Sequence, residues 1–350
     1  MAPRSALGKL TGDALRRTLL FPLESPRILR MVGLSYSLRC IVFHNVSAAP
    51  SAFTAGINVN TSPQRFEKTL RFLTAHYRPV SLEDVITDCE GRGLPSRALL
   101  VTFDDAYSSV AEVAAPLCRQ FHVPAVFFIN AAFLDNQRLA PDNLVCYVAN
   151  VLGIDTINTA IRAVRGDEAL RVASLSEVFG IFLPALSLAE RETFLAVLRE
   201  LAGIDERRTA HEAGLYLTAE QLRGLKSFGF EIGNHTYTHT YFRSLSRQDF
   251  AAEIDRNKEE LESLSGTNVR SFSQPYGSSK DLSSELRGHL KNSGHHAIFL
   301  SESVANPRRP DLFRLDRINS CARNDKTLFF EIEVLPRLRA IRNRLFQNAA

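Results

Sequence analysis

Polar side chains that could do chemistry follow four apolar, strand-like runs of the 350-residue chain. They are His44, the pair Asp104-Asp105, His235 with His239, and the segment Gln274-Pro275-Tyr276-Gly277. Carboxylates and imidazoles transfer protons in enzymes and bind divalent metal ions such as zinc. In a parallel α/β barrel the carboxyl ends of all strands open on one face, so these residues would converge there.

The histidine pair has the spacing of metal ligands. His235 and His239 are four residues apart, and on a helical turn both imidazoles would face the same side. The spacing alone is weak, because a chain with nine histidines can contain such a pair by chance. A third ligand from Asp105 would complete a two-histidine, one-carboxylate set with positions left for water and substrate.

The elements that would position these residues alternate between strand and helix, which predicts a parallel sheet. Apolar and β-branched runs predict strands at Leu38 to Asn45, Ala98 to Phe103, Ala125 to Asn130 and Phe230 to Gly233, with others near Ser271, Ala297 and Arg314. Helical spacing follows Ser62-Pro63 and Ser81 and recurs at Val110 to Phe121, Ala219 to Phe228 and Arg247 to Leu264. Pro116 is a weak point of its helix.

The length allows either one barrel with an appendage or two domains. Between Asp135 and about Tyr216 no convincing strand appears, which predicts a helical insertion. The apolar spacing there is helical at Val151 to Val164, Ala169 to Phe182 and Ala189 to Leu201. We therefore predict a basic N-terminal helical extension (1–35), a barrel (36–134 and 217–322), a helical insertion (135–216) and a C-terminal helix (323–350) with a break or kink near Pro336.

Three of the motifs together resemble a known family. Thr102-Phe-Asp-Asp105, then His235-Thr-Tyr-Thr-His239 and then Pro275-Tyr-Gly277 resemble the signature series of the polysaccharide deacetylases, or carbohydrate esterase family four, which share the NodB homology domain. The resemblance runs from about Cys40 to Ile318, interrupted by the insertion. It implies a distorted (β/α) barrel of about seven parallel strands that hydrolyses N-acetyl groups of amino sugars. A divalent metal is implied, with zinc as the expected ion.

The resemblance also implies a role for each matching residue. Asp104 matches the general base, and the metal ligands are Asp105, His235 and His239. Tyr276 matches the residue whose backbone N–H helps to hold the oxyanion, and Pro275 precedes it in the same motif. Neighbouring residues on an extended strand face opposite ways, so the two aspartates can share the site only where the strand has ended.

The sequence departs from the family pattern at three places. Ala106 replaces the usual glycine, a small change. Ser273 occupies the position of an arginine that orients the catalytic aspartate in many members, so that tether is either missing or supplied elsewhere, for example by Arg317. The late Leu-x-His motif that provides the general acid is not recognisable near Leu315 to Ile318.

The proton donor for the departing amine must therefore be another residue. His44 is our candidate, because it ends the first predicted strand and resembles a histidine of the exopolysaccharide deacetylase branch. An ordinary hydrogen-bonding histidine at a strand end is the competing interpretation. His295 and His296 rank lower because they precede a strand. Tyr237 and Tyr241 are expected to pack or to line the groove.

Composition gives the context of this activity. With 45% hydrophobic and 23% charged residues and a net charge of +4, the chain is typical of a globular protein. It has no run of about 20 apolar residues, no secretory signal pattern and five scattered cysteines, which predicts a cytoplasmic protein. The expected partner is an N-acetylated glycan, free or lipid-linked. No nucleic-acid-binding pattern is present.

Two further hypotheses remain open at this point. The missing arginine and late histidine would also fit a catalytically silent carbohydrate-binding protein on the same fold. The basic N-terminus, with Arg16, Arg17, Arg27 and Arg30, would suit a peripheral membrane contact near a lipid-linked precursor in exopolysaccharide biosynthesis. The sequence predicts no oligomeric state.

Overall fold

The computed structural model describes residues 38–90, 93–166, 170–307, 309–320 and 324–340. The predicted basic N-terminal extension, residues 1–35, lies outside the described residues, as does the end of the predicted C-terminal helix from residue 341 onward. Within the described ranges, no helix is long and apolar enough to cross a membrane.

Eight parallel strands form the sheet, and seven of them close into a barrel. They are β1 (Leu38–Phe43), β2 (Arg78–Pro79), β3 (Ala98–Phe103), β4 (Ala125–Ile129), β5 (Glu231–Asn234), β6 (Ser271–Ser273), β7 (Ala297–Leu300) and β8 (Leu315–Asn319). The order runs β1-β8-β7-β6-β5-β4-β3, and β1 pairs again with β3, so the sheet closes. Strand β2 extends the sheet from β3 and was not predicted, since two residues have no periodicity. The predicted distorted barrel of about seven strands is confirmed.

The helices surround this barrel. They are α1 (Pro63–His76), α2 (Leu82–Glu90), α3 (Ala115–Gln120), α4 (Pro141–Val151), α5 (Ile154–Arg165), α6 (Leu175–Glu177), α7 (Leu188–Leu201), α8 (Glu206–Ala213), α9 (Ala219–Ser227), α10 (Arg256–Ser265), α11 (Ser284–Asn292) and α12 (Asp325–Phe329). Several begin at the cap residues that the sequence offers. The Ser62 hydroxyl accepts a hydrogen bond from the backbone N–H of Arg65 at the start of α1, for example.

Prolines inside helices are preceded by single π-helical turns. The N–H of Ala115 bonds to the carbonyl of Val110 before Pro116, and the N–H of Leu335 bonds to that of Phe330 before Pro336. A π turn shifts the hydrogen-bond pattern by one residue, so the helix tolerates the missing N–H of the proline that follows. Of the break or kink predicted near Pro336, the break is absent, because the described helix continues through Pro336 to residue 340.

Helices α4 to α8 lie between β4 and β5 and have a hydrophobic core of their own. Val145, Ile157, Phe194 and Leu198 are fully buried in it. The barrel has separate cores on both faces of its strands, and strands β1, β3 and β4 are buried along their whole length. The insertion thus packs as a unit beside the carboxyl ends of the strands.

Candidate metal centre and active site

The two aspartates turn into the same cavity because the chain leaves β3 between them. The backbone N–H of Asp104 still bonds to the carbonyl of Phe43 at 3.0 Å, as a strand residue would. Asp105 and Ala106 then adopt positive φ angles of 73° and 56°. This left-handed turn brings the Asp105 carboxylate beside that of Asp104, as expected, and it is costly for an alanine, which explains the usual glycine at position 106.

Three side chains converge on one point beside this turn. One carboxylate oxygen of Asp105, Oδ1, lies 3.3 Å from Nε2 of His235 and 3.3 Å from Nε2 of His239. Each of the three residues offers one potential metal-ligand atom, and these three atoms lie within 4.8 Å of one another. Nδ1 of His235 bonds to the carbonyl of Ser273 at 2.8 Å, which directs its Nε2 toward Asp105. This donor set fits a divalent metal with open coordination positions.

The histidines do not lie on a helical turn, so that part of the prediction is wrong. Residues 235–241 form an irregular loop in which Thr236 and His239 have positive φ angles of 62° and 54°. Asn130, at the end of β4, holds this loop through hydrogen bonds to the carbonyls of His235 and Thr236. The imidazoles converge all the same, with ring centroids 5.1 Å apart.

The electrostatics of the site favour metal binding by Asp105 and His239. Burial raises the pKa of Asp105, but the imidazoles of His239 and His235 outweigh it and lower that pKa strongly. Burial lowers the pKa of His239 to about 4, although Asp105 raises it, so this imidazole is neutral at pH 7. The pKa of His235 is lowered by burial but raised further by the two aspartates, so its net shift is upward.

Asp104 is anchored by an arginine from the far side of β1. Nη1 and Nη2 of Arg317 donate to its two carboxylate oxygens at 2.7 Å each, and Ser273 Oγ donates at 3.3 Å. The structure thus supplies through β8 the tether that the sequence lacks at position 273. Burial raises the pKa of Asp104, but the Arg317 guanidinium and His235 together lower it below its ordinary value. Asp104 therefore remains a carboxylate at neutral pH.

A cavity of about 530 Å³ opens over these residues. His44 and Tyr276 both line it, and the ring centroid of Tyr276 lies 4.9 Å from that of His239. Pro275 is buried in the preceding turn and is not among the lining residues. The other walls come from the barrel, from residues 56–59 and from the insertion, which contributes Asp142, Ser176, Phe179 and Gly180.

Asp142 is the site residue that sequence reasoning missed. Its Oδ1 accepts a hydrogen bond of 2.6 Å from the Tyr276 hydroxyl, and its Oδ2 lies 3.5 Å from Nδ1 of His239. Burial raises the pKa of Asp142 to about 7, against the lowering effect of the Tyr276 hydrogen bond. An aspartate behind a proline at a helix start is common, so its sequence context gave no signal of this role.

The remaining candidates lie outside the cavity. Tyr241 is buried behind Tyr276, with the two rings stacked at 3.5 Å, and Tyr237 packs under the guanidinium of Arg256. His295 is buried next to Asn234, and burial lowers its pKa to about 3. His296 is exposed. Neither of these two histidines lines the cavity.

Comparisons with known proteins agree with this architecture. No curated protein matches the chain. Among solved structures, the Streptococcus pyogenes deacetylase PplD in complex with acetate is similar at 14% identity, covering 85% of this chain and 99% of that chain, with a TM-score of 0.57. IcaB from Ammonifex degensii is 18% identical, with 85% and 98% covered and a TM-score of 0.53. At these low sequence identities, the similarity to the two structures shows a shared fold and nothing more.

A third similar structure is a de-N-acetylase from Aggregatibacter actinomycetemcomitans, at 16% identity, 84% and 99% coverage and a TM-score of 0.53. The family itself is shown by sequence. The model of the polysaccharide deacetylase family matches residues 91–297, more than half of the chain, and this range includes Asp104, Asp105, both histidines and the Pro-Tyr-Gly segment. The chain therefore belongs to the polysaccharide deacetylase family, enzymes that hydrolyse N-acetyl amide bonds.

Proposed function

We propose that this protein is a metal-dependent hydrolase that removes N-acetyl groups from amino sugars of a polysaccharide or of its precursor. One observation carries the proposal. A carboxylate held by Arg317, Asp104, lies next to the convergent set Asp105, His235 and His239 on the wall of one cavity. General base and metal ligands are thus within reach of the same substrate group.

Asp105, His235 and His239 would hold the metal, for which zinc is the expected ion. A divalent ion bound there would polarise the acetyl carbonyl and lower the pKa of a water molecule. The protein contributes the remaining chemistry through its own side chains.

Asp104 is suited to take the proton of the attacking water. Its two hydrogen bonds from Arg317 fix the plane of the carboxylate, and its lowered pKa keeps it ionised at neutral pH. A base that is already oriented needs no rearrangement when the water attacks the carbonyl carbon.

His44 and Tyr276 complete the proposed site. His44 lines the cavity from the end of β1 and would donate a proton to the amine as the C–N bond breaks. Tyr276 lines the same cavity beside His239, and its backbone N–H would stabilise the oxyanion of the tetrahedral intermediate. Pro275, buried in the turn before it, would fix the backbone of Tyr276.

The substrate is an N-acetylated glycan, free or linked to a lipid. The cavity falls in the size range of small-molecule sites and is walled on one side by the insertion. It would take one or a few sugar units rather than the flat face of a long polymer. A lipid-linked precursor would suit a cytoplasmic enzyme that contacts the membrane through its basic N-terminus.

The test measures acetate release from N-acetylglucosamine oligomers by protein treated with a chelator and then reloaded with zinc. We expect hydrolysis only after reloading. Bound metal without hydrolysis of any acetylated glycan would favour the catalytically silent alternative. One motive for that alternative has weakened, because Arg317 supplies the missing tether.

A second test uses the variant Asp104→Asn, which keeps the shape of the side chain and leaves the proposed metal ligands in place. Because the amide cannot accept the proton of water, we expect zinc content to remain and turnover to fall by about 100-fold or more. Full activity of this variant would show that the base assignment is wrong.

A further inference from the structure

We propose that Asp142 is a positioning residue of the metal centre and that the helical insertion, through Asp142, is a working part of the site. The proposal rests on the proposed function, because it assumes that His239 binds a metal. Asp142 lies in the first turn of α4, at the start of the insertion.

Both carboxylate oxygens of Asp142 face residues of the active site. Oδ1 accepts a hydrogen bond from the Tyr276 hydroxyl, and Oδ2 lies 3.5 Å from Nδ1 of His239. Nε2 of the same imidazole points to Asp105 at 3.3 Å. A histidine that binds metal through Nε2 carries its proton on Nδ1, and a carboxylate facing Nδ1 fixes that tautomer and the plane of the ring.

The distance of 3.5 Å is slightly long for a hydrogen bond. A divalent ion on Nε2 makes the Nδ1 proton more acidic, which strengthens its attraction to the carboxylate. We therefore expect this contact to shorten when metal binds.

Neighbouring residues hold Asp142 in register with the metal ligands. Next to it on α4, Asn143 donates to the Tyr107 hydroxyl at 2.9 Å and accepts from the Tyr216 hydroxyl at 2.6 Å. All three residues are buried. Tyr107 follows Asp105 by two residues, so this network links the first turn of α4 to the carboxylate that would bind the metal.

A second residue of the insertion holds the backbone of the loop formed by residues 235–241. Arg191, buried on α7, donates to Thr238 Oγ1 at 2.9 Å and to the carbonyl of His239 at 3.4 Å. The insertion thus contacts the imidazole of His239 through Asp142 and the backbone carbonyl of His239 through Arg191. A first-turn aspartate with only a capping or helix-dipole role would face backbone N–H groups instead.

The test is calorimetric titration of the metal-free full-length protein with zinc alone, comparing the wild type with Asp142→Asn. We expect the zinc dissociation constant to rise by about 10- to 100-fold, as for other partners of metal-binding histidines. The matched control is Asp155→Asn, which changes a first-turn aspartate of the next helix that is exposed and paired with Arg171. It should bind zinc as the wild type does.

Val145→Ala separates positioning from simple loss of structure, because it loosens α4 in its hydrophobic core but keeps the Asp142 carboxylate and its hydrogen-bonded neighbours. Where the two variants lose the same amount of melting temperature in the metal-free state, Asp142→Asn should lose more zinc affinity than Val145→Ala. Equal losses in the two variants would overturn the proposal, as would an affinity of Asp142→Asn within twofold of the wild type. If the wild type itself binds no zinc, the proposed function fails together with this proposal. If the wild type binds zinc and Asp142→Asn binds it equally well, only this proposal fails.

Discussion

Arg317 and Asp104 form a bidentate ion pair past the intervening strand β1, with Nη1 to Oδ1 and Nη2 to Oδ2 both at 2.7 Å. Arg317 lies on β8 and Asp104 follows β3, and β1 separates the two strands in the sheet. Arg317 is fully buried, and its Nε donates to the carbonyl of Leu300 at 3.0 Å. The pair therefore fixes the orientation of the carboxylate of Asp104, the proposed base.

Replacing Arg317 should separate orientation from charge. Arg317→Lys keeps the charge but cannot make two parallel hydrogen bonds, so we expect kcat to fall by about 10- to 100-fold with metal retained. Arg317→Met leaves the Asp104 carboxylate buried without its partner and should lower the free energy of unfolding by about 3–5 kcal/mol at pH 7. Acetate release and urea unfolding measure the two effects, and Arg314→Lys, an exposed change just before β8, is the control.

The destabilisation by Arg317→Met should depend on pH. In the wild type the pKa of Asp104 is lowered below its ordinary value, so the stability that the pair contributes is present above that value and is lost as pH falls through the lowered pKa. Without Arg317 the buried carboxylate takes up a proton at higher pH. The difference in unfolding free energy between the two proteins should therefore shrink as the pH is lowered, and a constant difference would contradict this account.

The sequence indicated the proposed metal ligands because their motifs are local. Asp104-Asp105 and the pair His235 and His239 each lie within a few residues, and a buried strand before each places them on the same barrel face. Their convergence therefore needed only the parallel order of the strands. The helical turn expected for the histidines was wrong, because the loop is shaped by Asn130, a contact from another strand.

Contacts between distant segments were harder to predict. Arg317 was only one possible tether, since the register that carries it to Asp104 through β1 is not visible in its neighbours. Asp142 could not be predicted at all, because its role depends on how α4 packs over the barrel. In each case tertiary packing decides between local alternatives that the sequence leaves open.

Zinc affinity should fall as the pH is lowered, because the metal then competes with a proton on His235. The two aspartates raise the pKa of His235 above its ordinary value, whereas the pKa of His239 is about 4 and that of Asp105 is lowered. At about pH 6, below the ionisation of a metal-bound water near 7, zinc binding should therefore release about one proton from His235, in addition to the fraction that Asp142, whose pKa is about 7, loses when its carboxylate faces the metal-bound His239.

Calorimetry of zinc binding in buffers of different ionisation enthalpy counts this proton. Affinity should rise with pH and level off above the raised pKa of His235, since the imidazole is then already neutral. Binding at about pH 6 with no proton release would show that His235 is neutral there or is not a ligand.

His44→Asn should slow deacetylation without weakening metal binding, because His44 lines the cavity but is not among the convergent ligands. Loss of a general acid lowers kcat by about 100- to 10,000-fold when an amine must leave. An aryl acetate has a leaving group that needs no proton, so its hydrolysis should be nearly unaffected. An equal loss on both substrates would show that His44 positions the substrate instead, and His296→Asn is the exposed control.

Gly233 allows β5 to pass close to β4 two residues before His235. A Cβ at this position would lie 2.5 Å from Cε1 of Phe128 and 2.9 Å from Oγ of Ser271, and Phe128 is fully buried and paired with Gly233 in the sheet. Gly233→Ala should therefore lower the free energy of unfolding by about 1–3 kcal/mol through overpacking, and it should also weaken zinc binding as β5 shifts.

The matched control is Gly224→Ala in the middle of α9, where an added Cβ meets no atom within 4 Å. Alanine is the better helix former, so this change should raise the free energy of unfolding by up to about 1 kcal/mol and leave zinc binding unaltered. Urea unfolding of both variants measures the contrast. If Gly233→Ala were as stable as the wild type, the close approach of β4 and β5 could not be what requires glycine before the metal ligands.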